Sequence, residues 1–159
     1  MKQKTFILLL FIVSMTVNSM AQTVRATGST KAETSCDADK MPSFPGGEQA
    51  LLQFLSKNIQ YPTKAMEAGV QGRVLMSFAI DKDGSITDIT AKDCTISSYD
   101  KKFFDKLTVE QQEKLKKECI LAFAKEGVRL IRLMPNWKPG ESKGKKVKAL
   151  YRLPLSFRQ

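Results

Sequence analysis

Two apolar runs separated by a short polar loop dominate residues 72–93. The alternate positions of the first run are all apolar: Val74, Met76, Phe78 and Ile80. Leu75 and Ala79 between them are apolar too, so both faces of this strand are predicted to be covered, as in a central strand. After a loop containing Gly84, which can adopt positive φ, Ile89 and Ala91 alternate in a second run. The pattern predicts an antiparallel hairpin whose first strand is central.

A helix is predicted before the hairpin, over about residues 48–57. It follows the turn at 45–47 and places apolar side chains at intervals of three and four: Ala50, Leu51, Phe54 and Leu55. A single helical turn is predicted from Thr63 to Ala68, because threonine can cap its start and Gly69 can end it.

A long helix is predicted after the hairpin. Thr108 and Gln111 form a capping-box pattern, and the helix is expected to run to Met134. Gly127 costs ~1 kcal/mol relative to alanine inside a helix, so we expect a break or bend near residues 126–128 that divides it into two helices. Residues 94–107 lack a period and are predicted as a loop. Phe103 and Phe104 are expected to pack beneath that loop.

The last apolar run has an unbroken period of two: Val147, Ala149, Tyr151, Leu153, Leu155 and Phe157. Pro154 lies within it and has no N–H to donate, which is typical of an edge strand. Backbone groups alternate in direction along a strand, so the position of Pro154 turns those of Lys148, Leu150 and Arg152 outward. This edge has two interpretations. It is a site for an added peptide strand, or an edge that its charges and proline protect from aggregation.

The predicted elements occur in the order helix, strand, strand, helix, strand. This order indicates an α+β fold with a three-stranded antiparallel or mixed sheet and helices on one face. The first strand is expected in the centre, with the second and the last on its two flanks.

Residues 1–21 have the pattern of a secretory signal peptide. Lys2 and Lys4 precede an apolar run from Phe6 to Val17, and Ala21 ends a small-residue cleavage site. The run is short for a ~30 Å hydrocarbon core, although a retained inner-membrane anchor is the alternative. Residues 22–41 are polar and predicted to be a flexible tether, and residues 42–159 form the folded domain.

The chain is basic, with a formal net charge of +10. Export would give it little access to nucleic acid, and no basic groove with interleaved aromatic residues is evident. We therefore predict no nucleic-acid partner, and attribute the charge to anionic envelope surfaces or to a soluble exterior.

Three cysteines would enter an oxidising compartment on export. Cys36 lies in the tether, so a disulfide between Cys94 and Cys119 is the favoured pair. The alternative is that Cys119 is a buried free thiol on a helix.

The chain shows no residue pattern typical of common catalytic or metal sites. Histidine is absent, and the cysteine spacing does not resemble a metal site. Asp81 and Asp83 resemble the start of a calcium loop, but the remaining ligands are missing. No phosphate-binding glycine motif occurs. We predict neither an enzyme nor a cofactor.

A set of residues in fixed order resembles the C-terminal domain of TonB, the energy transducer of Gram-negative outer-membrane uptake. The resemblance covers about residues 42–94 and 126–159. The matching residues are Pro45-Gly46-Gly47, Tyr61-Pro62, Ala65, Gly69, Gly72-Arg73-Val74, Phe78, Asp83-Gly84, Met134-Pro135, Trp137-Lys138-Pro139-Gly140, Gly144, Leu153-Pro154 and Phe157.

The resemblance implies a partner and a site. Members of this family bind the TonB-box peptide of an outer-membrane receptor by strand addition to their last strand. Carried over, the peptide would pair with Lys148, Leu150 and Arg152, with Tyr151 helping to select it. Gln60 lies where family members also touch the receptor.

Three departures from the family affect force transmission rather than peptide binding. The N-terminal segment looks cleavable, whereas TonB keeps a membrane helix that engages the ExbB and ExbD motor. The tether lacks the long proline-rich spacer, and residues 95 to about 125 resemble an insertion with an extra helix. A periplasmic peptide-binding module is therefore the first hypothesis. A non-transducing adaptor, or a protein that forms a homodimer through the same edge, is the second.

Overall fold

The predicted hairpin forms two strands of a three-stranded sheet in the computed structural model, which describes residues 39–159. The signal-peptide prediction, most of the tether and Cys36 lie outside the described residues. In chain order the elements are α1 (Gly47–Asn58), α2 (Thr63–Glu67), β1 (Gln71–Ile80), β2 (Ile86–Ser98), α3 (Lys101–Phe104), α4 (Val109–Arg132), β3 (Gly140–Ser142), β4 (Lys145–Val147) and β5 (Ala149–Phe157).

The sheet is antiparallel throughout, with the order β2-β1-β5. β1 is therefore the central strand, as its covered faces predicted, and the α+β class and strand order are confirmed. Alternate side chains of β1 and β5 are fully buried on the face that the helices cover. They are Val74, Met76, Phe78, Ile80, Leu153, Leu155 and Phe157.

α4 is one continuous helix, so the predicted break near residues 126–128 is wrong. Gly127 is buried, and a Cβ at this position would lie 2.6 Å from the Sδ of Met76 and 3.4 Å from a methyl of Leu155. The glycine thus lets the helix backbone approach β1 and β5 closely. Its low helix propensity is outweighed by tertiary packing. The predicted capping box of Thr108 and Gln111 is present at the start of the helix.

The predicted loop at residues 94–107 contains regular structure. β2 continues through Cys94 to Ser98, and α3 follows, with the side chain of Asp100 accepting hydrogen bonds from the backbone N–H groups of Lys102 and Phe103. The alternation was missed because exposed polar residues occupy most of this half of β2. Phe104 is buried, as predicted.

A second small sheet was also missed. β3 and β4 form a hairpin whose turn residues, Lys143 and Gly144, both have positive φ, as a tight two-residue turn requires. Val147 belongs to β4, so the last strand begins at Ala149 rather than at Val147. A single glycine in a run of lysines is a weak signal for such a turn.

Aromatic side chains join the loops to the sheet. Trp137 is buried beside Tyr151, Phe78 and Phe44, with ring centroids 4.7, 5.7 and 5.7 Å away. Its backbone N–H donates to the carbonyl of Gly84, at 2.8 Å. The β1–β2 turn therefore rests on the segment that precedes β3.

Tyr61 is expected to titrate unusually late. Its hydroxyl donates to the carbonyl of Val70 at 2.6 Å, and burial, with a smaller contribution from Cys119, raises the pKa of Tyr61 to about 12. An unfolded tyrosine ionises near pH ~10. The contribution of neutral Tyr61 to the stability of the folded protein is therefore complete below that pH, and it is lost as pH rises toward about 12. Ultraviolet titration of tyrosinate should show a late step that Tyr61→Phe lacks. Ionisation of the wild-type protein complete well below that range would contradict the expectation.

Candidate peptide-binding edge

β5 lies at one edge of the three-stranded sheet. It pairs with β1 along its whole length, and within residues 39–159 no strand pairs with its other side. α4 packs mainly across β1 and β2, and it reaches β5 on the helix-covered face, where Phe123 stacks on Phe157. The long helix therefore does not cover the outer flank of β5.

The register of β5 sets which backbone groups face outward. Pro154 lies opposite Leu75, and the pairing runs from Ala149 to Phe157 without a shift. Since Pro154 has no N–H for β1, the odd-numbered residues form the hydrogen-bonded pairs with β1. The even-numbered residues, including Leu150 and Arg152, then direct their backbone groups away from β1.

The opposite edge of the sheet is less regular. The pairing of β2 with β1 has three register shifts, and Asp88 in β2 has a φ of 53°. Bulges of this kind twist and interrupt an edge, which hinders the addition of another strand. The β1–β5 pairing has no register shift, so the edge of β5 is the better template for an added strand.

Leu150 and Arg152 share the sheet face that points away from the helices. Both are half-buried, and they lie opposite Ala79 and Ser77 of β1. Tyr151 has the alternate orientation, is 8% exposed and packs against Trp137 and Phe78. Tyr151 thus packs beneath the edge, and its contact with a peptide stays a prediction.

Lys148 points across the sheet rather than along its edge. Its Nζ lies 2.8 Å from Oδ2 of Asp88 and 3.5 Å from Oδ1 of Asp81. The hydrogen bond to Asp88 raises the pKa of Lys148, and the same bond lowers the pKa of Asp88. Lys148 thus ties the start of β5 to the β1–β2 hairpin, a long-range pairing that spacing in the sequence does not reveal.

Gln60 is exposed and is held by α4. Its backbone N–H donates to Oε1 of Glu126 at 2.7 Å, and Glu126 also accepts from Nε of Arg129 at 2.7 Å. Arg129 in turn donates to the carbonyl of Asn58. Tyr61, the next residue, packs on Phe157, so Gln60 lies toward the far end of β5 from Leu150.

The Glu126–Arg129 pair was not recognised from the sequence. Glu126 is 8% exposed, although a glutamate on a helix is usually solvated. The sequence pattern that could have indicated this pair is a glutamate next to Gly127, followed three residues later by an arginine on the same side of the helix.

Cys94 and Cys119 are both free thiols, so the structure does not contain the disulfide favoured from the sequence. Cys119 is buried in the core on α4, and Cys94 is half-buried on β2. Burial raises the pKa of both thiols, which disfavours the reactive thiolate.

The part of the chain that the structure describes contains neither a metal-binding cluster nor a membrane-spanning helix. Residues 39–159 contain no group of three or more acidic or cysteine side chains placed to hold a metal ion. In the same residues, no helix has both the length and the apolar character needed to span a bilayer.

Comparison with protein families identifies the region around the hairpin. Residues 57–116 match the model of the family described as Gram-negative bacterial TonB protein C-terminal. This part of the domain is similar to the TonB C-terminal domain. The resemblance found in the sequence is thereby confirmed. No curated protein and no solved structure gives a significant match.

The match begins at the end of α1 and ends within α4, so β5 lies outside it. TonB C-terminal domains are non-enzymatic interaction domains of the Gram-negative envelope that engage outer-membrane receptors. The match thus indicates a TonB-like module associated with envelope energy transduction.

Proposed function

We propose that this chain is a periplasmic TonB-like module that binds the extended TonB-box peptide of an outer-membrane receptor as an added strand on β5. The observation that carries the proposal is the edge position of β5, paired with β1 alone among the described strands. Strand addition needs a regular edge with outward backbone donors and acceptors, and the register of Pro154 supports such an edge.

The side chains next to this edge have different roles in peptide recognition. An added strand would place alternate side chains beside Leu150 and Arg152 on the helix-free face. Arg152 favours an acidic or polar neighbour there, whereas Leu150 favours an apolar one. Tyr151 and Lys148 act indirectly, by holding β5 against the core and the hairpin.

Leu150→Pro is the decisive variant. It removes an outward N–H in the same phase as Pro154, and leaves the bonds to β1 intact. We expect the affinity for a TonB-box peptide to fall by about tenfold or more, because one ladder bond is lost and the ring obstructs the added strand. Isothermal titration of the full chain with the peptide measures the change.

Two neighbouring variants control for folding. Leu150→Val keeps the outward donor and should bind as the wild type does. Tyr151→Pro removes a donor to β1 and should lower the melting temperature, which Leu150→Pro should leave nearly unchanged. Binding by the Leu150→Pro protein at wild-type affinity would refute strand addition at this edge.

The proposed location rests on export of the chain and cleavage after Ala21. N-terminal sequencing of exported protein should find Gln22 first. A chain that retains Met1 and fractionates with the inner membrane would instead support an anchored transducer able to engage an ExbB and ExbD motor.

A further inference from the structure

The outward side of α4 carries apolar side chains that nothing within residues 39–159 covers. Leu121 is 59% exposed and Val128 is half-buried, and Leu133, which follows the last residue of α4, is 52% exposed. Leu121 and Val128 are seven residues apart and therefore lie two turns apart on one side of the helix. Exposed apolar side chains grouped in this way are typical of an interaction surface.

Two open grooves flank this side of α4. One has a volume of about 470 Å³ and is lined by Leu121, Val128, Leu133 and neighbouring residues of α4. The other, of about 260 Å³, lies between α2 and α4 and shares Leu121 and Lys125 with the first. A helix of three turns, about 16 Å long, would span the distance from Leu121 to Arg132.

The charged residues that line the grooves are mainly positive. Lys125 and Arg132 are exposed, and neither has an acidic partner in the part of the chain that the structure describes. The acidic residues nearby are already neutralised, since Glu118 pairs with Lys64 at 2.8 Å and Glu126 pairs with Arg129 at 2.6 Å. The surface therefore presents cations beside aliphatic side chains.

These features disfavour three other occupants. A second copy would bring the same positive surface, and residues 1–38 carry four basic residues against two acidic ones. A membrane surface is met by a broad apolar face rich in aromatic residues, whereas this side of α4 offers two leucines and a valine beside shaped grooves.

We propose that this side of α4, defined by Leu121, Lys125, Val128 and Arg132, docks an acidic amphipathic helix of a partner protein. The apolar residues of that helix would contact Leu121 and Val128, and its carboxylates would face Lys125 and Arg132. The surface faces away from the sheet, on a helix that packs mainly over β1 and β2. The inference is therefore independent of peptide binding at β5.

The test uses the full chain and a labelled helical peptide of glutamate, alanine and leucine, with leucines at intervals of three and four. Fluorescence anisotropy should show saturable binding that falls about tenfold in Lys125→Glu with Arg132→Glu, because attraction becomes repulsion. Leu121→Ser should weaken binding as well, without loss of helicity, since this side chain is mostly exposed. Lys145→Glu with Lys146→Glu, on exposed positions of β4, changes the net charge equally and should bind as the wild type does.

Further arms separate the alternatives. A peptide in which lysine replaces glutamate should bind only the charge-reversed α4 variant. Equal binding of the acidic peptide to all variants, or no binding, would overturn the proposal. So would sedimentation with anionic phospholipid vesicles in place of peptide binding, or self-association in the ultracentrifuge that the α4 charge reversal abolishes.

Discussion

Gly84→Ala is expected to lower the free energy of unfolding by about 4 kcal/mol. Gly84 has a φ of 89°, and an added Cβ would collide with the carbonyl oxygen of Trp137. The left-handed conformation costs an alanine roughly 1–2 kcal/mol. The remainder comes from displacement of the Trp137 segment and its hydrogen bond to the Gly84 carbonyl.

Gly144→Ala isolates the conformational part of this loss. Its φ is 73°, and no atom lies within 4 Å of the position a Cβ would occupy. Urea unfolding should therefore show a loss of about 1–2 kcal/mol for Gly144→Ala and a much larger one for Gly84→Ala. Similar losses for the two variants would mean that contact between the turn and Trp137 contributes little.

Glu126→Ala is expected to destabilise the protein by about 3 kcal/mol. The substitution leaves the Gln60 N–H without its acceptor and removes the carboxylate partner of Arg129. The value lies at the lower end for a broken buried pair, because the Arg129 side chain is 37% exposed and water can solvate it. Thermal unfolding at neutral pH, with urea titration, measures the effect.

Two variants locate the origin of that loss. Glu126→Gln keeps an oxygen acceptor and should cost clearly less than Glu126→Ala. Glu118→Ala removes only the exposed pair with Lys64 and should have little effect. Amide exchange at Gln60 should accelerate in Glu126→Ala. Unchanged exchange would show that another contact holds this loop.

The period of the apolar residues predicted most of the sheet because every apolar residue at the alternate positions of β1 and β5 is buried. The covered faces of β1 identified the central strand, and Pro154 identified the edge. Both inferences rest on local chemistry, namely the pleat of a strand and a missing donor. Such features can be recognised from residues that are close together in the sequence.

The errors have a different origin. The continuity of α4 at Gly127 depends on contact with Met76, which is distant in sequence. The β3–β4 hairpin depends on a turn that a lysine and a glycine barely indicate. In both cases a tertiary contact or an uncommon turn overrode the local preference.

For the candidate site, the sequence predicted which backbone groups face outward, but not which partners the side chains contact. The outward phase of Leu150 and Arg152 follows from Pro154 alone. The burial of Tyr151 follows from the same alternation, but the pairing of Lys148 with Asp88 joins residues sixty positions apart. Predicting side-chain partners across a sheet requires knowledge of the strand register, which is known only once the fold is known.

The nine-residue ladder between β1 and β5 has a mechanical consequence. Its hydrogen bonds run across the strands, so tension applied along β5 loads them in shear and shares the load among them. Tension applied sideways at one end would instead open them one after another. A ligand strand aligned with β5 would experience the same geometry, and its resistance to a pull would depend on direction more than on affinity.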